Sequence, residues 1–116
     1  MKMQRGTDYI YQLIKQGEHQ QQDFKFEISD ARKIAKSLSA FSNTDGGRLL
    51  VGVKDNGKIA GVRSEEEIYM IEAAAKLYSK PEVHCNMHLY EIEGHQALKD
   101  VIPPGESAPY QATDEN

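Results

Sequence analysis

The segment at residues 42–47 combines residue types that can hold a phosphate group. Gly46 and Gly47 permit backbone conformations that are closed to other residues. Together with the side chains of Asn43 and Thr44, the exposed backbone N–H groups of such a turn can form a phosphate cradle. The same residues also suit a tight junction from a helix into a strand, because Asn43 and Thr44 can bond to the amides exposed there. No Walker lysine follows the glycines, which argues against nucleotide hydrolysis and leaves the cradle and the junction as open interpretations.

Basic residues are concentrated in the middle of the chain. Eight of the 14 Lys and Arg residues lie between positions 25 and 63, namely Lys25, Arg32, Lys33, Lys36, Arg48, Lys54, Lys58 and Arg63. Such a stretch suits a surface that faces phosphates, because Lys and Arg gain affinity by displacing counterions. The net charge of −4 argues against a strongly basic nucleic-acid binder, and interspersed acids leave an ordinary solvated face as the alternative. We expect no exposed aromatic residues among these cations, so stacking on single strands is not predicted.

Composition limits the class of protein further. The 116 residues are enough for one domain, and no apolar run approaches the roughly 18 residues of a membrane span. Cys85 is the only cysteine, which excludes an internal disulfide framework, and we expect a cytoplasmic protein. His84 and His88 lie close to it, but the segment is typical of a strand and offers no evident fourth ligand. Core or surface placement is therefore a better interpretation than a zinc site.

The spacing of apolar residues predicts three helices, at residues 7–16, at residues 31–41 and between Ser64 and Pro81. In the second helix apolar side chains recur at i, i+3, i+4, i+7 and i+10, and Asp30 can cap its N-terminus. The third helix begins with three glutamates, which the helix dipole favours in a first turn. These helices would position the basic residues of the second helix on its exposed side.

Strands are predicted for residues 24–28, 48–54, 58–62, 83–92 and 96–102. The strand at 48–54 is apolar on both faces, which indicates a central and covered position. Asn56-Gly57 is the preferred pair for a two-residue type I′ turn, so we expect residues 58–62 to return antiparallel. A second hairpin is expected around Glu93-Gly94.

The order of elements predicts an α+β fold. Its sheet is expected to be mainly antiparallel, built from two hairpins plus an N-terminal strand, and covered by about three helices. Residues 1–116 are expected to form a single domain. The tail at residues 106–116 has no apolar period and no closing element, which raises the expectation of a truncated C-terminus.

Two stretches, residues 18–25 and 38–62, resemble the Schlafen-type, Alba-like family of proposed DNA-binding domains. That family is found in bacterial regulators, in divergent AAA proteins and in Schlafen proteins. Its pattern begins with an acid–Phe–Lys strand, here Asp23-Phe24-Lys25, and a helix that ends in Ala-Phe-x-Asn-Thr-x-Gly-Gly, here residues 40–47. It continues with Gly-Val-x-Asp at residues 52–55 and closes with Gly61-Val62. A weaker similarity extends over residues 102–110.

The resemblance also implies a possible catalytic site. Some Schlafen proteins are endoribonucleases with three acids, whose positions are occupied here by Glu18, Asp23 and Asp55. Three carboxylates from separate segments could hold one or two Mg²⁺ or Mn²⁺ ions, which would polarise a phosphodiester and activate water. Asp23 is one methylene shorter than the family's usual Glu, and Lys54 would reduce the negative charge available to a metal. The alternative is that Glu18 and Asp55 are solvated loop acids.

The resemblance and the basic stretch together favour a nucleic-acid-binding module, the DNA-binding domain of a bacterial regulator. Contacts to the backbone of DNA or RNA are expected from the helix at 30–41 and the hairpin at 48–58. The predicted binding residues are Lys25, Arg32, Lys33, Lys36, Arg48, Lys54 and Lys58. Two alternatives stay open: a Mg²⁺- or Mn²⁺-dependent Schlafen-like endoribonuclease, and an interaction or dimerisation domain without nucleic-acid binding. A homodimer is compatible with each of the three.

Overall fold

The structure, a computed structural model, describes residues 3–62 and 65–113. Its helices are α1 (Thr7–Gln16), α2 (Ala31–Ser42) and α3 (Glu65–Lys76). Its strands are β1 (Met3–Arg5), β2 (Gln22–Lys25), β3 (Gly47–Val51), β4 (Ser79–Lys80), β5 (Asn86–Ile92), β6 (His95–Ile102) and β7 (Gln111–Ala112). Arg63, Ser64 and the last three residues, on which parts of the sequence predictions fall, lie outside the described residues.

Five strands form one mixed sheet in the order β1-β5-β6-β3-β2. The central strand β6 pairs antiparallel with β5 and with β3, and these two pairings contain most of the paired residues of the sheet. The outer strands β1 and β2 add to the sheet in parallel. Strands β4 and β7 form a separate two-stranded antiparallel sheet. The α+β prediction is confirmed.

Helices cover both faces of the sheet. Ile10 and Leu13 of α1 pack with Leu50 in one core cluster, whereas α2 and α3 pack with Leu49 and Val51 in the other. The division follows from strand geometry, because successive side chains of β3 point to opposite faces. The strand is apolar on both faces because both are covered, as its composition predicted.

Helix α2 agrees with its sequence prediction. The Asp30 carboxylate accepts a hydrogen bond of 2.9 Å from the backbone N–H of Arg32, as expected of an N-cap residue. The helix ends at Ser42, one residue later than predicted. Among the described helices, none is long and apolar enough to cross a membrane.

The predicted returning strand at residues 58–62 is wrong. One isolated bridge, between Val53 and Ile59, replaces it, and Gly57 alone of the Asn56-Gly57 pair has a positive φ, of 86°. The chain forms a longer turn instead, in which the N–H of Gly57 donates to the carbonyl oxygen of Lys54. The physical reason is that β3 already pairs with β2 on one side and β6 on the other, so neither of its edges is free for a third strand.

The second hairpin forms as predicted, and it contains the type I′ turn. Glu93 and Gly94 have φ values of 51° and 83°, and Ile92 pairs directly with His95. Strand β5 begins at Asn86, three residues later than the predicted boundary at 83. The predicted strand at 24–28 is shifted toward the N-terminus, because β2 ends at Lys25 and Ile28 is buried outside the sheet.

Candidate nucleic-acid interface

The end of α2 contains the residues predicted to form either a phosphate cradle or a junction. The side-chain amide of Asn43 donates to the carbonyl oxygen of Tyr110 at 2.8 Å and accepts from the Tyr110 backbone N–H at 2.5 Å. The hydroxyl of Thr44 donates to the Ala40 carbonyl oxygen at 3.0 Å. The backbone N–H groups of Thr44 and Gly46 both donate to the carbonyl oxygen of Phe41. The side chains of Asn43 and Thr44 and the N–H groups of Thr44 and Gly46 are therefore engaged within the chain.

The two glycines of the same segment are required by close packing. A Cβ atom at Gly46 would lie 2.5 Å from the carbonyl oxygen of Ile102, and the residue has a φ of 84°. A Cβ atom at Gly47 would overlap the ring of Phe41. These contacts support the structural junction between α2 and β3, and the phosphate cradle stays a prediction.

Two of the three predicted acids meet at the start of β2. The Glu18 side chain accepts a hydrogen bond from the Phe24 backbone N–H at 3.2 Å and lies beside the Asp23 carboxyl group. The proximity of the Asp23 carboxyl group and partial burial raise the pKa of Glu18, whereas the Phe24 N–H opposes this rise. The negative charge of Asp55 raises the Glu18 pKa further, so Asp55 lies within electrostatic reach.

A cleft of about 500 Å³ lies beside this carboxyl pair, between residues 18–23 and the side of α2 that carries Ser37 and Ala40. His19 also lines it and was not assigned a role from the sequence. Carboxylate oxygens suit Mg²⁺ and Mn²⁺. Among residues 3–62 and 65–113, however, no group of three His, Cys, Asp or Glu side chains is placed to hold one metal ion. Glu18 and Asp23 thus form a pair of carboxyl groups, and the described residues do not complete the predicted three-acid metal site.

The basic residues of α2 are exposed. Arg32 forms an ion pair with Asp30 at 3.4 Å. Lys33 and Lys36 lie on the outer side of the helix, and neither forms an ion pair with a described carboxylate. Both lysines therefore face solvent outside any ion pair with a described carboxylate, although Lys33 is near enough to Asp30 to help lower the pKa of that carboxyl group.

The remaining predicted cations lie around β2 and the turn after β3. Lys25 forms an ion pair with Asp23 at 3.4 Å. Lys58 is exposed, and the Lys54 ammonium lies 5.4 Å from the centre of the Phe26 ring. Phe26 is half exposed, so the expectation that no exposed aromatic residue lies among the cations is wrong. The reason is that the chain leaves the sheet after Lys25, and the Phe26 side chain has no covering layer.

Arg48 lies on the opposite face of the sheet from α2. Its guanidinium donates to the side-chain oxygens of Gln22 and Gln16, both at 3.0 Å. The pairing of β3 with β6 places Lys99 on the same face, since Lys99 is opposite Leu50. The predicted binding residues are consequently divided between two faces of the sheet.

Lys99 is a candidate that sequence reasoning missed. Its side chain is largely buried, and its ammonium donates to the Tyr9 hydroxyl at 2.9 Å. The ammonium also lies 4.6 Å and 5.5 Å from the ring centres of Tyr9 and Tyr90. The available signal was a lysine two positions from the apolar residues Ala97 and Val101 on the same side of a predicted strand, where a charged side chain requires polar partners.

Asp100, the next residue, is fully buried against α2 and α3. Neither carboxyl oxygen has a hydrogen-bond partner among the described residues, and burial raises the pKa of Asp100 to about 6. Burial and the proximity of Asp100 also raise the pKa of the Cys85 thiol. His84 and His88 do not join Cys85 in a group of metal-binding side chains within the described part of the chain.

Comparison with known proteins was made by sequence and by structure. The family model described as "Schlafen, AlbA_2" matches residues 18–116. A search of the curated proteins gave no match. The crystal structure of the DIP2311 protein from Corynebacterium diphtheriae is similar, with 17% identity and a TM-score of 0.61. That similarity covers 94% of this chain but 24% of DIP2311, so the chain spans about a quarter of that protein.

A second solved structure is similar to this chain over nearly the whole length of both. It is the solution structure of the N-terminal domain of a DNA helicase RecG-related protein from Nitrosomonas europaea, with 16% identity and a TM-score of 0.57. The similarity covers 98% of this chain and 90% of that domain. At these identities the two structures support the fold.

Proposed function

Because the chain belongs to the Schlafen, AlbA_2 family, we propose that it is a nucleic-acid-binding module that contacts the phosphate backbone. The observation that carries the proposal is the set of exposed lysines on α2 and in the turn after β3. Lys33, Lys36 and Lys58 form no ion pair with a described carboxylate, although the chain as a whole carries a net charge of −4. An acidic chain that leaves these lysines outside ion pairs retains a local surface that attracts phosphates.

The chemistry of these contacts is that of counterion release. Each Lys or Arg that neutralises a phosphate displaces condensed cations from the nucleic acid, which gives affinity with little base specificity. As part of the same proposal, the module serves as the DNA-binding domain of a bacterial, cytoplasmic regulator. DNA and RNA ligands are compared in the experiment.

The test is a fluorescence-anisotropy titration of a labelled DNA duplex and a labelled RNA at several salt concentrations. For Lys33→Gln with Lys36→Gln, we expect weaker binding of all sequences and a log–log salt slope smaller by roughly 1–2 units. Lys76→Gln with Lys80→Gln is the matched control, since both lysines are exposed and outside the basic stretch. If the native chain bound neither ligand, the interaction or dimerisation alternative would replace the proposal.

A metal-dependent ribonuclease is the second candidate, and the observation that favours it is that the Glu18 and Asp23 carboxyl groups line the same cleft. Its test is incubation of structured RNA with the native chain in Mn²⁺ or Mg²⁺. We expect little or no cleavage, because the described residues do not complete a three-acid site. Efficient cleavage that is lost in Asp55→Asn, but retained in the control Asp45→Asn, would rank the ribonuclease first.

A further inference from the structure

Three strands place basic side chains in two adjacent rows on the face of the sheet that α1 partly covers. Lys99 of β6 lies opposite Leu50 of β3 and opposite His88 of β5, and Arg48 lies opposite Val101. Residues that pair across antiparallel strands share a face, and so do residues two positions apart on one strand. Arg48, Lys99 and His88 therefore share this face, with Lys99 between the other two.

The same face lacks acids. None of the side chains that β2, β3, β5 and β6 direct toward α1 is a carboxylate, by the registers of these strands. The acids of these four strands, Asp23, Glu91 and Asp100, all alternate to the opposite face. The cations on the α1 side consequently have no carboxylate within the sheet to neutralise them.

The hydrogen-bond partners of the two permanent cations are neutral. Lys99 donates to the Tyr9 phenol, and Arg48 donates to two glutamine amides. Buried or half-buried cations in proteins are usually paired with carboxylates. Neutral oxygen partners orient the ammonium and the guanidinium without cancelling their charge, and each group keeps N–H donors for a further acceptor.

We propose that Arg48, Lys99 and Tyr9 form a second phosphate-binding surface, on the face of the sheet opposite α2. Its ligand is the phosphodiester backbone of a nucleic acid, bound by Arg48 and Lys99 while the Tyr9 hydroxyl holds the ammonium in place. The inference rests on the proposed nucleic-acid function and adds to it a site of which the sequence indicated Arg48 but not Lys99 or Tyr9. With α2 on the other face, the domain can contact phosphates from both sides of its sheet.

The experiment measures the salt dependence of DNA and RNA binding for Arg48→Gln with Lys99→Gln. We expect the log–log salt slope to fall by about 2 units, because two phosphate contacts are removed. Arg48→Lys with Lys99→Arg retains both charges and should retain most of the slope. Lys76→Gln with Lys80→Gln removes the same charge elsewhere and should leave the slope unchanged.

Because Lys99 is largely buried, Arg48→Gln alone is the second variant, and a fall of about 1 unit is expected for it. Thermal melting of each variant confirms that it is folded before binding is measured. If the slope is unchanged in the Arg48 variants but falls in Lys33→Gln with Lys36→Gln, the second surface is refuted and the proposed function stands. If the native chain binds no nucleic acid, both are refuted. The last measurement is the melting temperature of the native chain in inorganic phosphate at matched ionic strength. If phosphate raises this temperature but the variants do not change nucleic-acid binding, the assignment of the ligand as a phosphodiester backbone is overturned.

Discussion

Lys99 and Asp100 are consecutive residues of the central strand, and both have little contact with solvent. They point to opposite faces of the sheet. Lys99 reaches the hydroxyl of Tyr9 and the faces of two tyrosine rings, on the side that α1 covers. Asp100 lies between Leu49 and Met87 of the neighbouring strands, and its carboxyl oxygens have no hydrogen-bond partner among the described residues.

The difference shows how the reach of a side chain decides whether a buried group stays charged. Burial lowers the pKa of Lys99, but its interactions with Tyr9 and Tyr90 outweigh this effect and raise the pKa overall. The short side chain of Asp100 has no comparable partner, and burial raises its pKa to about 6, although nearby groups of Cys85 and Asn86 oppose the rise. The environment on one face of β6 therefore favours the charged form of Lys99, and the environment on the other face disfavours the charged form of Asp100.

A second acid on the α2 side tests whether that face tolerates carboxylates in general. Val51→Asp would place one beside Leu98, on the same face of the sheet as Asp100. We expect a loss of about 4 kcal/mol or more, a large share of the stability of a small domain, because an unpaired charge is buried. Circular dichroism during thermal melting measures the effect, with Val51→Ala as the control for lost methyl groups. A cooperative melt of Val51→Asp near the native temperature would contradict our account of this face.

Replacing Asp100 with a neutral residue should stabilise the fold, whereas Val51→Asp should destabilise it. The native pKa of about 6 exceeds the ordinary value of 3.8, so the folded chain binds this proton more tightly than the unfolded chain. Its contribution to stability is present below pH 3.8, falls as the pH rises toward 6 and is absent above. We expect Asp100→Asn to raise the free energy of unfolding at pH 8 by up to about 3 kcal/mol, since one pKa unit corresponds to about 1.4 kcal/mol.

Urea denaturation of the native chain and of Asp100→Asn at pH 4 and pH 8 measures this difference. The comparison of the two chains isolates residue 100 from all other titrating groups. Identical pH dependence in both would mean that Asp100 is ionised in the folded state and has a partner.

The smallest expected effect concerns the cation on the other face. Tyr9→Phe removes the hydrogen bond to the Lys99 ammonium but keeps the ring, and we expect a loss of about 1–2 kcal/mol. The matched control is Tyr11→Phe, which removes a bond of 3.0 Å to Glu93 at an exposed site and should cost less than about 0.5 kcal/mol. Equal losses in the two variants would show that the Tyr9 hydroxyl does not stabilise Lys99.

Local patterns in the sequence were sufficient for the elements whose partners are near in the chain. The Asp30 cap, the apolar face of α2 and the hairpin at Glu93-Gly94 each depend on a few consecutive residues, and each was predicted. The returning strand at residues 58–62 failed because its formation depended on whether β3 had a free edge. Both edges are occupied by strands that are distant in sequence, so no local pattern could report it.

The prediction of the candidate site from sequence was limited in the same way, because local patterns carry no information on contacts between distant residues. Arg48 and Lys33 belong to one basic stretch, yet they lie on opposite sides of the sheet because a strand alternates its side chains and α2 covers one face only. The contact between Glu18 and Asp23 agrees with the family resemblance, whereas the position of Asp55 depends on the length of the turn after β3. Lys99 became a candidate only when the pairing of β3 with β6 placed it beside Arg48.

The bond between Asn43 and Tyr110 also affects how the domain is completed during translation. The two residues are 67 positions apart, and at about 5–20 residues per second the ribosome adds that length in roughly 3–13 s. Throughout this interval Tyr110 is not yet available to the Asn43 side chain, and the central strand β6 is itself synthesised late. The nascent chain therefore exposes the apolar faces of α2 and β3 for seconds, which is the period in which chaperones or aggregation would act on it.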